Sequence, residues 1–415
     1  MHLFTSKFVQ KPDHVTELPG SVSTPTGFQA AGIAAGLKKS GKLDLGLLIC
    51  KEPCASAALY TPNAAAAAPI TFCRDETSNG SLQGVVVNSG SANACTGAQG
   101  LEDARAMAAQ AAAKSGIDIK NMAVASTGVI GVTLPMDLVE SGITSVADTL
   151  TETGGGDFAE AIRTTDKIDK EGAIEVALSG GTVRVGACAK GAGMIAPNMA
   201  TLLAFITTDA AVPASLLQNL LKQAVTASFN SMSVDGDMST NDCILVFASG
   251  QSGIAVDQDS GDAALFGDAL AAVCKGLALK MVADGEGATK VVELNVTGAK
   301  DNGEAALVSR AVSNSSLVRT AFFGRDANWG RIMASAGAAL AGEKQLLADI
   351  YYEKVCLAKG GAVSPDPVDA GQLQNIMAKP EISVTIDLHR GTGSHTMYFS
   401  DLTHDYVTLN AEYTT

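Results

Sequence analysis

Short, uninterrupted apolar runs alternate along this chain with longer stretches in which Ala, Leu and Val recur every three or four positions. Gly84–Asn88 and Met122–Ser126 read as buried strands, and Leu101–Lys114 and Met136–Leu150 as the helices that follow them. Farther on, Thr182–Cys188 and Thr201–Thr207 predict buried strands, Ala214–Ser228 a helix, Cys243–Ser249 a strand and Ala263–Val282 a long helix. Alternation of this kind predicts α/β layers. The elements follow one another too densely for a disordered linker. Turn chemistry at Gly298–Gly303 marks the division expected between residues 1–298 and 299–415. Internal repeats are absent, and the alanine run Ala64–Ala68 is long enough only for local packing.

Composition narrows the class. With 415 residues, 47% hydrophobic, 5% aromatic and 17% charged, the core must be built from Ala, Val, Leu and Ile packed closely with many Gly. A formal net charge of -14 makes phosphate backbones and anionic bilayers poor partners. The apolar run from Thr201 meets Asp209 too soon to span a bilayer, and Met1–Val15 has no apolar centre for a secretory signal. A soluble, cytoplasmic protein is expected. Its eight cysteines are scattered, and the pair Cys50 and Cys54 has no second pair or histidine nearby to complete a zinc or redox motif.

Only five histidines occur, none in a nucleophile-like setting, which argues against Ser-His-Asp and Cys-His engines. Asp235-Gly236-Asp237 lacks a third carboxylate at calcium-loop spacing and reads as a turn, so no metal is expected. Gly191-Ala192-Gly193 and Gly285-Glu286-Gly287 complete neither a P-loop nor a dinucleotide fingerprint.

One segment stands apart. Lys190-Gly191-Ala192-Gly193-Met194-Ile195-Ala196-Pro197-Asn198-Met199-Ala200-Thr201 runs from a glycine and proline loop into the apolar Leu202-Leu203-Ala204-Phe205. A threonine at such a junction suits attack on the carbonyl just before it, where Ala200 leaves room for a bent backbone. Once the bond breaks, Thr201 gains an α-amino group with a reference pKa of about 7.7 to 8.0, able to take the proton of its own hydroxyl. On spacing alone, Thr201 reads first as a β-branched residue opening a strand.

The same segment resembles the processing motif of the ornithine and glutamate N-acetyltransferases of arginine biosynthesis. Five further stretches resemble family signatures in order: Gly27–Gly32, Ala125–Gly131, Ser228–Asn230 leading to Asp235–Asp237, Asp284–Lys290 and Phe323–Arg331. Ser91, where Asn is expected, and Leu202-Leu203, where Met-Leu is commoner, depart from the pattern without touching the presumed chemistry.

The resemblance implies an α-β-β-α sandwich of the amino-terminal-nucleophile type with a smaller C-terminal α/β domain, whose tail returns to the active site. It implies self-cleavage between Ala200 and Thr201, and a ping-pong cycle in which Thr201 carries acetyl from acetylornithine to glutamate. Thr127 and Gly128 correspond to the oxyanion hole. Thr164, Lys190, Glu286, Asn410 and Thr415 correspond to substrate contacts, Lys190 and Glu286 supplying a cation and an anion. No cofactor is expected, acetyl-coenzyme A entering only as a second acetyl donor in bifunctional members, and the cleaved chains are expected to assemble as a heterotetramer. The Trp329 segment reads as scaffolding. Two rivals remain: a self-processed aminopeptidase or amidase, and a ligand-binding α/β protein that is never cut.

Overall fold

A computed structural model describes residues 2–196 and 202–412. Ala200, Thr201 and Thr415 therefore lie outside the described residues. Three sheets organise the rest. The first has the order β1 (Val15–Leu18), β7 (Lys170–Leu178), β8 (Gly181–Lys190), β9 (Leu203–Thr208), β11 (Cys243–Ala248) and β4 (Ala55–Tyr60). The second runs β2 (Phe28–Ile33), β3 (Leu45–Cys50), β5 (Gly84–Ser91) and β6 (Met122–Val129).

These two sheets stack because their strands are apolar on the facing sides. Cys188, Leu203, Phe205, Cys243, Leu245 and Phe247 of the first sheet join Leu47, Val85, Val87 and Ala123 of the second in one buried cluster. Alternate residues of the same strands, among them Ala187, Ile206 and Val246, face the other way into a second cluster with helices α5 (Ala214–Thr226) and α6 (Gly261–Ala283). Period-two alternation thus feeds two cores from one strand, which explains why β9 and β11 are buried at every position. Helices α1 (Ala68–Glu76), α2 (Gly97–Ser115) and α3 (Met136–Asp148) cover the second sheet, while α4 (Gly155–Ala161) packs on β2 and β3. The layers are therefore α-β-β-α, as the family resemblance implied.

The third sheet has the order β10 (Met232–Ser233), β17 (Gly393–Ser400), β12 (Val291–Ala299), β16 (Glu381–Asp387), β13 (Asp349–Tyr352), β14 (Val355–Lys359) and β15 (Ala362–Val363). Helices α7 (Asn302–Asn314), α8 (Ser316–Phe323), α9 (Trp329–Ala339) and α10 (Ala370–Met377) accompany it, and its apolar positions form a third core. That core includes Val292, Leu294 and Val296, so it starts within β12, ahead of the turn chemistry at 298–303. Turn residues mark where β12 ends, and its parallel pairing with β16 decides which sheet it joins. Helix α6 touches both β7 of the first sheet and β17 of the third, so its buried positions run along most of its length. The chain closes with α11 (His404–Glu412). Among the described residues, no helix is long and apolar enough to cross a membrane.

Element boundaries differ from those expected by up to four residues. The strand predicted over Thr201–Thr207 runs from Leu203 to Thr208, because the Leu202 N–H is taken by the Asp242 side chain before the ladder with Lys190 begins. Helix α2 starts earlier than Leu101 and stops at Gly116, whose φ of 69° gives the left-handed cap that ends a helix.

Candidate active site

The ends of β6 and β8 meet several loops and helix α11 around a cavity of about 220 Å³. Thr127, Gly128, Thr164, Lys190, Glu286 and Asn410 all line it, although they come from five separate segments. Of the residues singled out in the sequence, these six are brought together; Ala200, Thr201 and Thr415 lie outside the described residues.

Thr127 and Gly128 close β6. Gly128 has φ of 135°, and a Cβ there would sit 2.4 Å from the Gly90 carbonyl carbon, so neither the backbone angle nor the neighbouring strand admits a side chain. Lys190, the last residue of β8, is buried rather than solvated, and its Nζ donates to Thr127 Oγ1 at 3.1 Å. An ammonium has only protons to give, so the threonine oxygen accepts and its own O–H is left to donate elsewhere. That is the polarity an oxyanion donor needs.

Burial holds the Lys190 pKa below its usual value, and the Asp166 carboxylate offsets only part of that. Asp166 in turn accepts from Lys170 Nζ at 2.6 Å and from Gly191 N at 2.7 Å through Oδ1, and from Thr164 N at 3.1 Å through Oδ2. Lys170 also donates to Asp284 Oδ2 at 2.5 Å, with both partners buried. Burial alone raises the Asp166 pKa, but Lys190 and Lys170 outweigh it and hold the carboxyl below its usual range. Two lysines and two aspartates thus tie the Thr164 loop, the end of β8 and the loop carrying Glu286 into one buried network.

Glu286 is placed by its backbone, whose N–H donates to Ala192 O at 2.8 Å. Its carboxylate lies against Gly193, where an added Cβ would approach it to 2.6 Å. From α11, Asn410 Nδ2 donates to Glu286 Oε2 at 2.9 Å, so the C-terminal segment does reach the cavity. Tyr406, one turn earlier, lines the same wall. Trp329 is not among the cavity-lining residues: it opens α9, packs against the third core and has Asn328 as its helix cap.

Several functional neighbours escaped the sequence reading. Asn241 spans the sandwich, donating from Nδ2 to Ala92 O at 2.6 Å and Ser126 O at 2.9 Å, which locks the loop before β11 to the end of β6. Asp242 accepts from Leu202 N at 2.8 Å. The available signal was the polar run Ser239-Thr240-Asn241-Asp242 directly before an apolar strand. Asp235, read as a turn acid, is an anchor for the Met194 and Ile195 amides. Arg319 of α8 is buried and donates to the carbonyls of Val234 and, at 2.8 Å, Ser400, fixing the third sheet to the loop that carries Asp235. Among the described residues, no cluster of His, Cys, Asp and Glu could hold a metal ion.

Comparison with known proteins gives a consistent answer. The sequence profile of the ArgJ family matches residues 29–415. The arginine biosynthesis bifunctional protein ArgJ of Symbiobacterium thermophilum is 47% identical over 401 residues, covering 96% of this chain and 99% of that protein. That of Bacillus anthracis is 44% identical over 398 residues, covering 95% and 97%. Among solved structures, the ornithine acetyltransferase of Mycobacterium tuberculosis complexed with ornithine shares 38% identity with a TM-score of 0.41, covering 44% of this chain and 98% of that one.

Proposed function

The chain belongs to the ArgJ family and is an acetyltransferase of arginine biosynthesis, and we propose that it moves acetyl from acetylornithine to glutamate as an ester on Thr201. The observation that carries this reading is the convergence of Thr127, Gly128, Thr164, Lys190, Glu286 and Asn410 on one cavity. Lys190, which lines that cavity, pairs in the β8–β9 ladder with Leu203, two residues after Thr201.

Maturation comes first. Thr201 Oγ attacks the Ala200 carbonyl carbon, the C–N bond breaks, and the hydroxyl proton ends on the new amine. Water then hydrolyses the resulting ester, returning the Thr201 hydroxyl and leaving Ala200 with a carboxylate. In turnover the free α-amine of Thr201 takes the proton of its own hydroxyl as Oγ attacks the acetyl carbon of acetylornithine. The oxyanion that forms is met by the Thr127 hydroxyl and the Gly128 N–H. Collapse expels ornithine, which leaves with the proton, and the amine of glutamate attacks the acetyl ester to complete the exchange. Lys190 and Glu286 offer the substrates a cation and an anion, Thr164 and Asn410 further hydrogen bonds, and Thr415 a contact from the tail. The cycle needs proton transfers only and no cofactor. The bifunctional name carried by the relatives favours acetyl-coenzyme A as a second donor to the same threonine. We further assign the protein to the cytoplasm, as a heterotetramer with two copies of each cleaved fragment.

Intact mass under denaturing conditions tests the nucleophile: wild type yields fragments 1–200 and 201–415, and Thr201→Ala stays whole and inactive. An active wild type found uncut ends the proposal. Acetylornithine consumption with and without glutamate then separates transfer from hydrolysis. Equal rates in the two conditions would make the protein an amidase.

A further inference from the structure

The chain on each side of residues 197–201 is held by one carboxylate. Before them, Met194 N donates to Asp235 Oδ2, and Ile195 N to Oδ1 at 2.7 Å. Met194 has φ of 56°, a left-handed conformation that an unbound L residue avoids, so this turn needs an external hold. The hold is reciprocal, since Val234 N donates back to Ile195 O at 2.8 Å. After them, Leu202 N donates to Asp242 Oδ1 at 2.8 Å, and Cys243 N donates back to Leu202 O at 3.1 Å. Asp242 is fully buried, and its second oxygen, Oδ2, has no hydrogen-bond partner among the described residues. The transfer cycle uses neither aspartate.

We infer that Asp235 and Asp242 are positioning residues for self-cleavage, two anchors that fix the chain on either side of the bond between Ala200 and Thr201. The inference rests on the proposed cleavage. An intramolecular attack depends on how long the reacting atoms stay in near-attack geometry, and misplacement by about 1 Å costs on the order of a hundredfold. Six residues, 196–201, separate the two anchored ends, so releasing either end frees the reacting atoms to drift.

The two anchors differ in a way that makes the idea testable. Asp235 uses both oxygens, one for each amide. An asparagine there keeps one acceptor and turns an NH2 toward the other N–H, so it cannot replace the carboxylate. Asp242 uses one oxygen, and an asparagine keeps it.

The experiment is a pulse of the full chain in a cell-free system, with the ratio of whole chain to fragments followed over time. Asp242→Asn is expected to cleave within about twofold of wild type, whereas Asp242→Ala and Asp235→Asn slow by about tenfold or more. The same substitutions placed on Thr201→Ala report melting apart from cleavage, and all are expected to melt cooperatively. Asp235→Asn cleaving as fast as wild type, or Asp242→Asn as slowly as Asp242→Ala, overturns the inference. Loss of cooperative melting in Asp235→Asn also overturns it, because Asp235 would then be needed to fold rather than to cleave. A wild type that stays whole in the same reaction defeats the proposed function itself.

Discussion

On its inner side the cavity is walled by buried strand ends whose charges pair with one another, whereas its outer side is one exposed helix, α11, touching it through Asn410 and Tyr406. Inside, Lys170, Lys190, Asp166 and Asp284 exchange hydrogen bonds and charge with protein partners and little with water. Outside, none of the described α11 residues is buried, and Val407 and Leu409 stand in solvent. The inner wall is set before any substrate arrives, at the expense of burying charge. The outer wall is exposed and meets the cavity through two side chains. On the proposed mechanism chemistry falls to the inner wall and affinity to the outer one, and substitutions on the two should separate accordingly.

The largest effect is expected from breaking the inner network. Lys170→Met leaves Asp166 and Asp284 buried without their shared cation, a change that costs about 3–5 kcal/mol; denaturant melts of the Thr201→Ala background measure it without interference from cleavage. A loss under about 1 kcal/mol would show that water replaces the lysine and that the inner wall is not preset. The wild type carries the same signature in acid. Because Lys190 and Lys170 depress the Asp166 pKa against its burial, the stability it contributes is present above its unfolded value of about 3.9 and fades as pH falls below that.

Thr127→Val comes next, removing one proposed oxyanion donor while keeping shape. The expectation is a kcat lower by about 100- to 1000-fold with KM little changed. Thr127→Ser, which retains the hydroxyl that Lys190 orients, should recover most of it. A Val variant that loses only affinity would move Thr127 from the chemistry to binding. Asn410→Ala is the mildest change. Its hydrogen bond to Glu286 is solvent-exposed, so KM should rise by about two- to tenfold with kcat intact. A fall in kcat instead would erase the distinction between the walls.

Much of the inner wall was legible in the sequence, because strands buried on both faces leave continuous apolar runs. β5, β6, β8 and β11 were found that way, with helices α2, α3, α5 and α6, whereas α4 was not. The pairing of those strands was not legible, since a run such as Cys243–Ala248 carries no mark of its neighbours, β9 on one side and β4 on the other. The same holds for β12, whose partner Glu381–Asp387 lies beyond four helices and three short strands. Thr127, Gly128, Lys190 and Glu286 entered through family resemblance, and spacing alone left each with an ordinary reading. Asp166, Asn241 and Asp242 were missed altogether, because a polar residue beside a strand becomes a site residue only when other strand ends arrive around it.

The order of strands β8, β9 and β11 bears on how the molecule is made. β8 precedes the proposed cut, and β9, which follows it, lies between β8 and β11 with Leu203 paired to Lys190. The uncut chain assembles this sheet in a first-order process. After cutting, the ladder between β8 and β9 joins two molecules, and any return from the unfolded state becomes second order and dependent on concentration. Mature protein diluted out of denaturant is thus expected to recover poorly where uncut Thr201→Ala recovers well, so that a one-time sequence of folding and then cutting leaves a product unable to retrace its own path.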